Sequence, residues 1–391
     1  MHADFAAKSH SPGEVAFDHH PRTRLVFGAD ALERVGELAR DFGVRRVLLV
    51  TDKGIVAVGH ASRAIGFLEA AGLQVATFDE VRENPTTLDV DRCVEVAQRE
   101  AVELIVGLGG GSSMDTAKGA NFILTNGGRM QDYWGVGKAT RPMLPLIAIP
   151  TTAGTGSECQ SFALISDETT HQKMACGDAK AAAAIAILDP LLTVSQPARV
   201  TACTGIDAIA HAFETAVTKK RNPLSAMYSR EAFRLCFGAL ETVLENPRDL
   251  EARSRMQLGA AFAGMAIENS MLGAAHSAAN PLTAHYGIVH GQAVGLMLPA
   301  VIAFNARDPE AHNHYLELAM IAGLESIDDL IGELDTILEA ARMREGIAKL
   351  GIGRAAFPKL AAEAAQQWTA TFNPRRIDAQ DFEELYAEVL G

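Results

Sequence analysis

The sequence predicts an α/β N-terminal domain with a Rossmann-like parallel sheet (residues 1–199) and an all-α C-terminal domain (residues 200–391), with the active site in the cleft between them. Three observations carry this. Strand and helix patterns alternate through the first half, a glycine-rich turn follows the third apolar run, and strand-like runs become rare after residue 200. Such alternation points to parallel strands covered by helices, whereas long Ala/Leu/Glu/Arg-rich segments point to helices packed on one another.

In chain order, residues 46–52 form a short apolar run ending in Thr51 and Asp52, as a buried strand and its exit loop do. Residues 57–72 read as a helix and 73–79 as a second strand. Asn84-Pro85-Thr86 marks a turn, 90–101 a helix and 104–108 a third strand. The third strand runs into Gly109-Gly110-Gly111-Ser112-Ser113-Met114-Asp115. Ser112 or Ser113 is a natural N-cap, and Asp115 stands three residues after Ser112 as in a capping box. Free amides at such a helix start suit a pyrophosphate, and a tight turn without a ligand is the competing reading. A fourth strand is expected at 145–150, followed by Thr151-Thr152-Ala153-Gly154-Thr155-Gly156-Ser157-Glu158, whose hydroxyls suit phosphate, ribose or the local turn. Residues 162–166 read as another strand, with the positive charge of Lys173 beyond it. The Ala-rich residues 180–186 read as packing, and Asp189-Pro190 closes the α/β part. Helices are expected at 226–246, 250–271, 328–350, 355–369 and 378–390.

Chemistry concentrates between residues 204 and 290. Asp207 and His211 are four apart, so on a helix they share a face one turn apart. An isolated pair of this kind is more often a polar contact than a metal site. Here the flanks are small and apolar (Ala208, Ile209, Ala210, Ala212), so burial demands partners. His276 and His290, also in small apolar surroundings, complete a set of one carboxylate and three imidazoles suited to divalent iron or zinc.

Composition narrows the class. With 391 residues, 48% hydrophobic and 21% charged, the chain supports two cores in a globular protein. A formal net charge of −13 argues against nucleic acid and anionic membranes as partners. The five cysteines (93, 159, 176, 203 and 236) contain no C-x-x-C pair, which argues against a disulfide framework and for a reducing compartment. No apolar run approaches the ~18 residues of a membrane span. Residues 1–22 lack the apolar core of a signal peptide, so a cytoplasmic protein with a loose first dozen or so residues is expected.

These motifs, with Thr204-Gly205-Ile206-Asp207, His211-Ala212-Phe213-Glu214, His276 and His290-Gly291 in register, resemble the iron-containing (group III) alcohol dehydrogenases from about residue 27 to the tail. The resemblance implies hydride exchange between a small alcohol or aldehyde and NAD. It implies Fe²⁺ or Zn²⁺ on Asp207, His211, His276 and His290, and pyrophosphate on Gly109, Gly110, Gly111 and Ser112. It also implies that Asp115, Thr151, Thr152, Thr155, Leu164 and Lys173 lie along the cofactor, with Asn84 near the adenosine side. Asp52 stands where relatives keep an acid near the adenosine ribose, which favours NAD over NADP by repelling a 2′-phosphate. A homodimer is implied as well. Many relatives carry a second histidine where this chain has Asn280, whose amide hydrogen-bonds but cannot titrate. Either water, a ribose hydroxyl or His285 then moves the proton, or the reaction tolerates its absence, and a surface role suits His285 better. Tyr133, Trp134, Phe162 and Phe262 are candidates for a substrate pocket around Asn280, with ordinary core the alternative for Trp134 and Phe262. Rival readings are dehydroquinate synthase-like chemistry on a bound NAD, a metal-free maleylacetate reductase-like enzyme, and a non-catalytic protein retaining the fold.

Overall fold

The computed structural model describes residues 17–170 and 172–390, so the expectation for the first dozen residues lies outside the described residues. Nine strands occur among the described residues: β1 (Arg24–Phe27), β2 (Arg46–Val50), β3 (Gln74–Phe78), β4 (Leu104–Gly109), β5 (Gly135–Val136), β6 (Leu146–Pro150), β7 (Phe162–Ser166), β8 (Lys173–Gly177) and β9 (Ile185–Leu188). Six make a parallel sheet in the order β1-β9-β6-β4-β2-β3, and β5-β8-β7 form a small side sheet. The long apolar runs bury both faces of the large sheet. Leu48, Val50, Ile105 and Ala148 look to one side, and Val47, Leu49, Leu104, Val106 and Ile147 to the other.

Helices α1 (Val35–Arg40), α2 (Lys53–Ala57), α3 (His60–Ala70), α4 (Thr87–Arg99) and α5 (Gly111–Asn126) accompany this sheet. Ten more follow: α6 (Ala198–Thr215), α7 (Pro223–Phe237), α8 (Leu240–Glu245), α9 (Leu250–Asn269), α10 (Ala274–Tyr286), α11 (His290–Asn305), α12 (Pro309–Ile321), α13 (Ile327–Ala340), α14 (Phe357–Gln366) and α15 (Ala379–Glu388). Fourteen of the eighteen residues of α6 are buried, so neighbours surround it.

The differences from the sequence expectation have local causes. The helix expected over 57–72 is α3 over 60–70, and Gly59, at φ +86°, separates it from the short α2 that ends at Ala57. The helix expected over 226–246 breaks after Phe237 at Gly238. The end of the stretch 180–186 that was read as packing opens the buried strand β9 at Ile185, and the edge strand β1 pairs with it. Only β7 of the antiparallel β7–β8 hairpin was expected.

The two halves meet where side chains are missing. A Cβ on Gly156 would lie 2.6 Å from Cα of Gly264 on α9, and one on Gly264 would overlap the Gly156 carbonyl. Gly264→Ala should therefore cost about 1–3 kcal/mol through overpacking of backbone against backbone. The check is the urea midpoint. An unchanged midpoint would mean that loop and helix separate freely.

Candidate metal and cofactor site

Three helices deliver the metal candidates. Asp207 and His211 lie one turn apart on α6, His276 stands in the first turn of α10, and His290 opens α11. The Nε2 atoms of His211, His276 and His290 lie 3.5, 3.4 and 3.8 Å from one oxygen, Oδ1 of Asp207. Donor atoms of Asp207, His276 and His290 all fall within 4.8 Å of one another. His211 stands outside that trio but beside the same carboxylate, its ring stacked on His276 at 4.8 Å. Asp207 Oδ1 and His276 Nε2 are buried without a hydrogen-bond partner. Leaving such atoms unpaired costs roughly 1–3 kcal/mol each, and more for a charge. Bonds of about 2.0–2.2 Å to a tetrahedral ion would hold such donors roughly 3.4 Å apart, so spacing, burial and donor chemistry fit a divalent ion. The His290 side chain is 29% exposed against 5–6% for the other three, which leaves one side of the site open.

Glu214, one turn beyond His211, completes the arrangement. Its Oε2 lies 2.5 Å from His276 Nδ1, and its Oε1 accepts from the Ala275 amide at 2.7 Å. With Nδ1–H donating to Glu214, the His276 Nε2 lone pair faces Asp207. In the metal-free protein, burial disfavours the imidazolium of His276, but Glu214 and Asp207 overcome this and raise it to about 9. Burial takes His290 down to about 3, against the pull of Asp207. Burial also lowers His211. Burial acts against the Asp207 carboxylate, yet the three imidazoles hold it well below the usual range.

The glycine-rich turn lies at the carboxyl ends of β2 and β4, where strand order reverses, the place open α/β sheets reserve for ligands. Gly109 takes φ +149°, and a Cβ there would overlap the Ser113 hydroxyl and lie 3.3 Å from Asp52 Oδ2. Cβ atoms on Gly110 and Gly111 would lie 3.3 and 2.9 Å from the methyls of Thr152 and Thr155. The N-cap of α5 is Gly110 in extended backbone, with no side-chain cap. Ser112 is therefore not the N-cap the sequence suggested, because the chain turns two residues earlier. Uncapped amides at this helix start suit an anion.

The other predicted residues divide. Asp52 caps α2, accepting from the Ile55 amide at 3.0 Å, beside the glycines. Thr151 donates its amide to Gly109 O at 2.9 Å. Asp115 is buried, and its Oδ1 accepts from Ser157 Oγ at 2.8 Å. Exposed Asn84, at φ +53°, precedes Pro85, whose carbonyl accepts from Ser166 of β7. Ser166 pairs with Lys173 of β8, and Leu164 of β7 is exposed. Asn280, a turn after His276, donates to Gln367 Oε1 at 3.1 Å. His285 is engaged at the surface by Glu363 at 2.6 Å.

Among the pocket candidates, Tyr133 is core, its hydroxyl donating to Gly127 O at the far end of α5 from the glycines. Phe262 packs on Tyr228, and Trp134 is exposed. Phe162 faces Trp368 at 5.9 Å. Sequence reasoning assigned no role to Glu214, Lys118 or Trp368. A carboxylate three residues after His211 was a readable signal for the first.

Comparison with known proteins identifies the family. The description "Iron-containing alcohol dehydrogenase" matches residues 21–190, and "Fe-containing alcohol dehydrogenase family, C-terminal" matches 201–390. Alcohol dehydrogenase 4 of Schizosaccharomyces pombe is 34% identical over 93% of this chain and 87% of its own length. The NAD-dependent methanol dehydrogenase of Bacillus methanolicus is 33% identical over 93% and 97%. A crystal structure of 1,3-propanediol oxidoreductase superposes with a TM-score of 0.91 at 32% identity, covering 96% of this chain and all of that one. With both halves of the sequence matched, the chain belongs to the iron-containing alcohol dehydrogenase family.

Proposed function

We propose that the chain transfers hydride between a small alcohol and NAD in the cleft between domains 1–199 and 200–391, with Fe²⁺ or Zn²⁺ held by Asp207, His211, His276 and His290. The observation that carries this reading is the convergence of three imidazole Nε2 atoms on one buried, unpartnered carboxylate oxygen. When bound, the ion supplies Lewis-acid polarisation of the alcohol or carbonyl oxygen. The bare start of α5, with Gly109, Gly110, Gly111 and Ser112, takes the pyrophosphate, and Thr151, Thr152 and Thr155 close over it. Asp115, Leu164 and Lys173 line the cofactor's course, with Asn84 towards adenosine. Asn280 and Gln367 form a neutral amide pair on the substrate side. Neither titrates, so the proton leaves through water or a ribose hydroxyl, His285 being engaged by Glu363. The intact four-residue set favours the metal-dependent reading over a metal-free reductase.

The test is metal analysis of anaerobically purified protein, together with NADH formation from a panel of short alcohols and diols. Stoichiometric iron or zinc with NADH formation supports the reading. Activity without metal would end the four-ligand assignment.

Asp52 supplies a specificity prediction. Asp52→Asn keeps an N-cap of similar strength but removes the charge that faces a 2′-phosphate. The ratio of kcat/KM for NADP to that for NAD should rise by about tenfold, equivalent to about 1.4 kcal/mol. A ratio equal to wild type would remove Asp52 from the ribose site.

No helix among the described residues is long and apolar enough to cross a membrane. We place the enzyme in the cytoplasm as a homodimer. Burial of all five cysteines as free thiols supports a reducing compartment, and sedimentation tests the dimer.

A further inference from the structure

Loop 151–162 touches both constellations. At its start, the Thr151 amide binds Gly109, and Thr152 and Thr155 close on Gly110 and Gly111. In its middle, Gly154 presses on α6, where a Cβ would lie 2.8 Å from Thr204 Cα, three residues before Asp207.

The far end of the loop is tied to α5 by Lys118, which is 0% exposed. Its Nζ donates to Ser157 O at 2.6 Å, Ser157 Oγ at 2.9 Å and Phe162 O at 3.0 Å. Three acceptors use the three N–H bonds of an ammonium, and the Ser157 hydroxyl in turn donates to Asp115 Oδ1 at 2.8 Å. Burial lowers the lysine pKa, and the carboxylates of Asp115, Glu268 and Glu158 oppose that shift. Glu158 is itself pushed up to about 7 by burial.

Stability alone does not call for this lysine. Desolvating a charge is costly, and apolar residues of similar volume often replace buried charge clusters without loss. The ammonium offers what an apolar residue cannot, namely three directed bonds that tie Ser157 in the loop to Phe162, where the loop enters β7.

We propose that Lys118 is a positioning residue for hydride transfer: through Ser157 and Phe162 it fixes loop 151–162, and so the spacing between the cofactor cradle and the metal-binding stretch of α6. This rests on the dehydrogenase reading above. Hydride transfer needs its two carbons at roughly 3–3.5 Å, and a misplacement of about 1 Å costs on the order of 100-fold in rate.

The test uses the full-length metal-loaded enzyme with the short alcohol that wild type oxidises fastest, as protio and α-deuterated substrate. Lys118→Met should lower kcat by about 10–100-fold. The deuterium isotope effect on kcat should rise, with metal content and NAD affinity close to wild type. Ser157→Ala removes one of the three acceptors and should act in the same direction, more mildly. It decides the matter should Lys118→Met not fold. A wild-type enzyme without metal and without NADH formation defeats the dehydrogenase reading itself. An active wild type whose two variants keep kcat and isotope effect per folded molecule overturns the role of Lys118 alone. So does a loss confined to thermal stability.

Discussion

Asp207→Ala is expected to purify without metal and to lose several kcal/mol of transition-state stabilisation, roughly a thousandfold or more in kcat. Asp207 is the one anion of the four candidates, and all three Nε2 atoms are arrayed around its Oδ1. Removing a carboxylate from a core usually destabilises the fold by stranding its partners. Asp207 has no hydrogen bond at that oxygen to lose, but it does favour the His276 imidazolium, so the metal-free variant should also fall in thermal midpoint below metal-free wild type. The wild type should fall in midpoint on chelation, because an ion that binds only the folded state stabilises it, and Asp207→Ala should not respond. Proton competition adds a pH signature. The folded-state value of His276 in the metal-free protein, about 9, lies above its ordinary 6.5. The imidazolium therefore contributes stability fully below 6.5, and that contribution is lost as pH rises through about 9. Metal must displace this proton, so apparent metal affinity should increase across the same interval. A variant that retains stoichiometric metal, or a wild type indifferent to chelation, would contradict the site.

The candidate site was legible in the sequence before the fold. Asp207 and His211 needed only helical spacing, and His276 and His290 stood out because imidazoles are costly in such small, apolar surroundings. The strands that bear the glycines were legible for a similar reason, since β2, β4 and β6 are unbroken apolar runs. The edge was harder. The four residues of β1 are short and partly exposed, and the Ala-rich lead into β9 looks like helix packing until β1 and β6 pair with it. The start of α5 was misplaced because Ser112 resembles a cap, whereas a turn of glycines can begin the helix earlier. Interactions distant in sequence left no local mark. Lys118 binds residues 39 and 44 positions away, and Glu214 binds His276 across 62.

Glu214→Gln is the sharper probe of that last contact. Glutamine keeps the volume and still offers an oxygen to the Ala275 amide. What it then presents to His276 is an N–H rather than an acceptor. His276 Nδ1 must then accept, which puts the ring proton on Nε2, where the lone pair is needed. Metal affinity should fall by about 10–100-fold, measured by competition with a chelator of known strength. Alanine at the same position also strips the Ala275 amide, at the start of a helix whose N-cap, Gly273, has no side chain to offer. Glu214→Ala should therefore lose both metal affinity and stability, whereas Glu214→Gln should lose mainly the first. This contrast separates orientation of the imidazole from support of α10. If glutamine binds metal as tightly as wild type, the carboxylate serves the helix alone. If glutamine and alanine lose affinity and thermal midpoint in equal measure, Glu214 acts on the metal only through the fold.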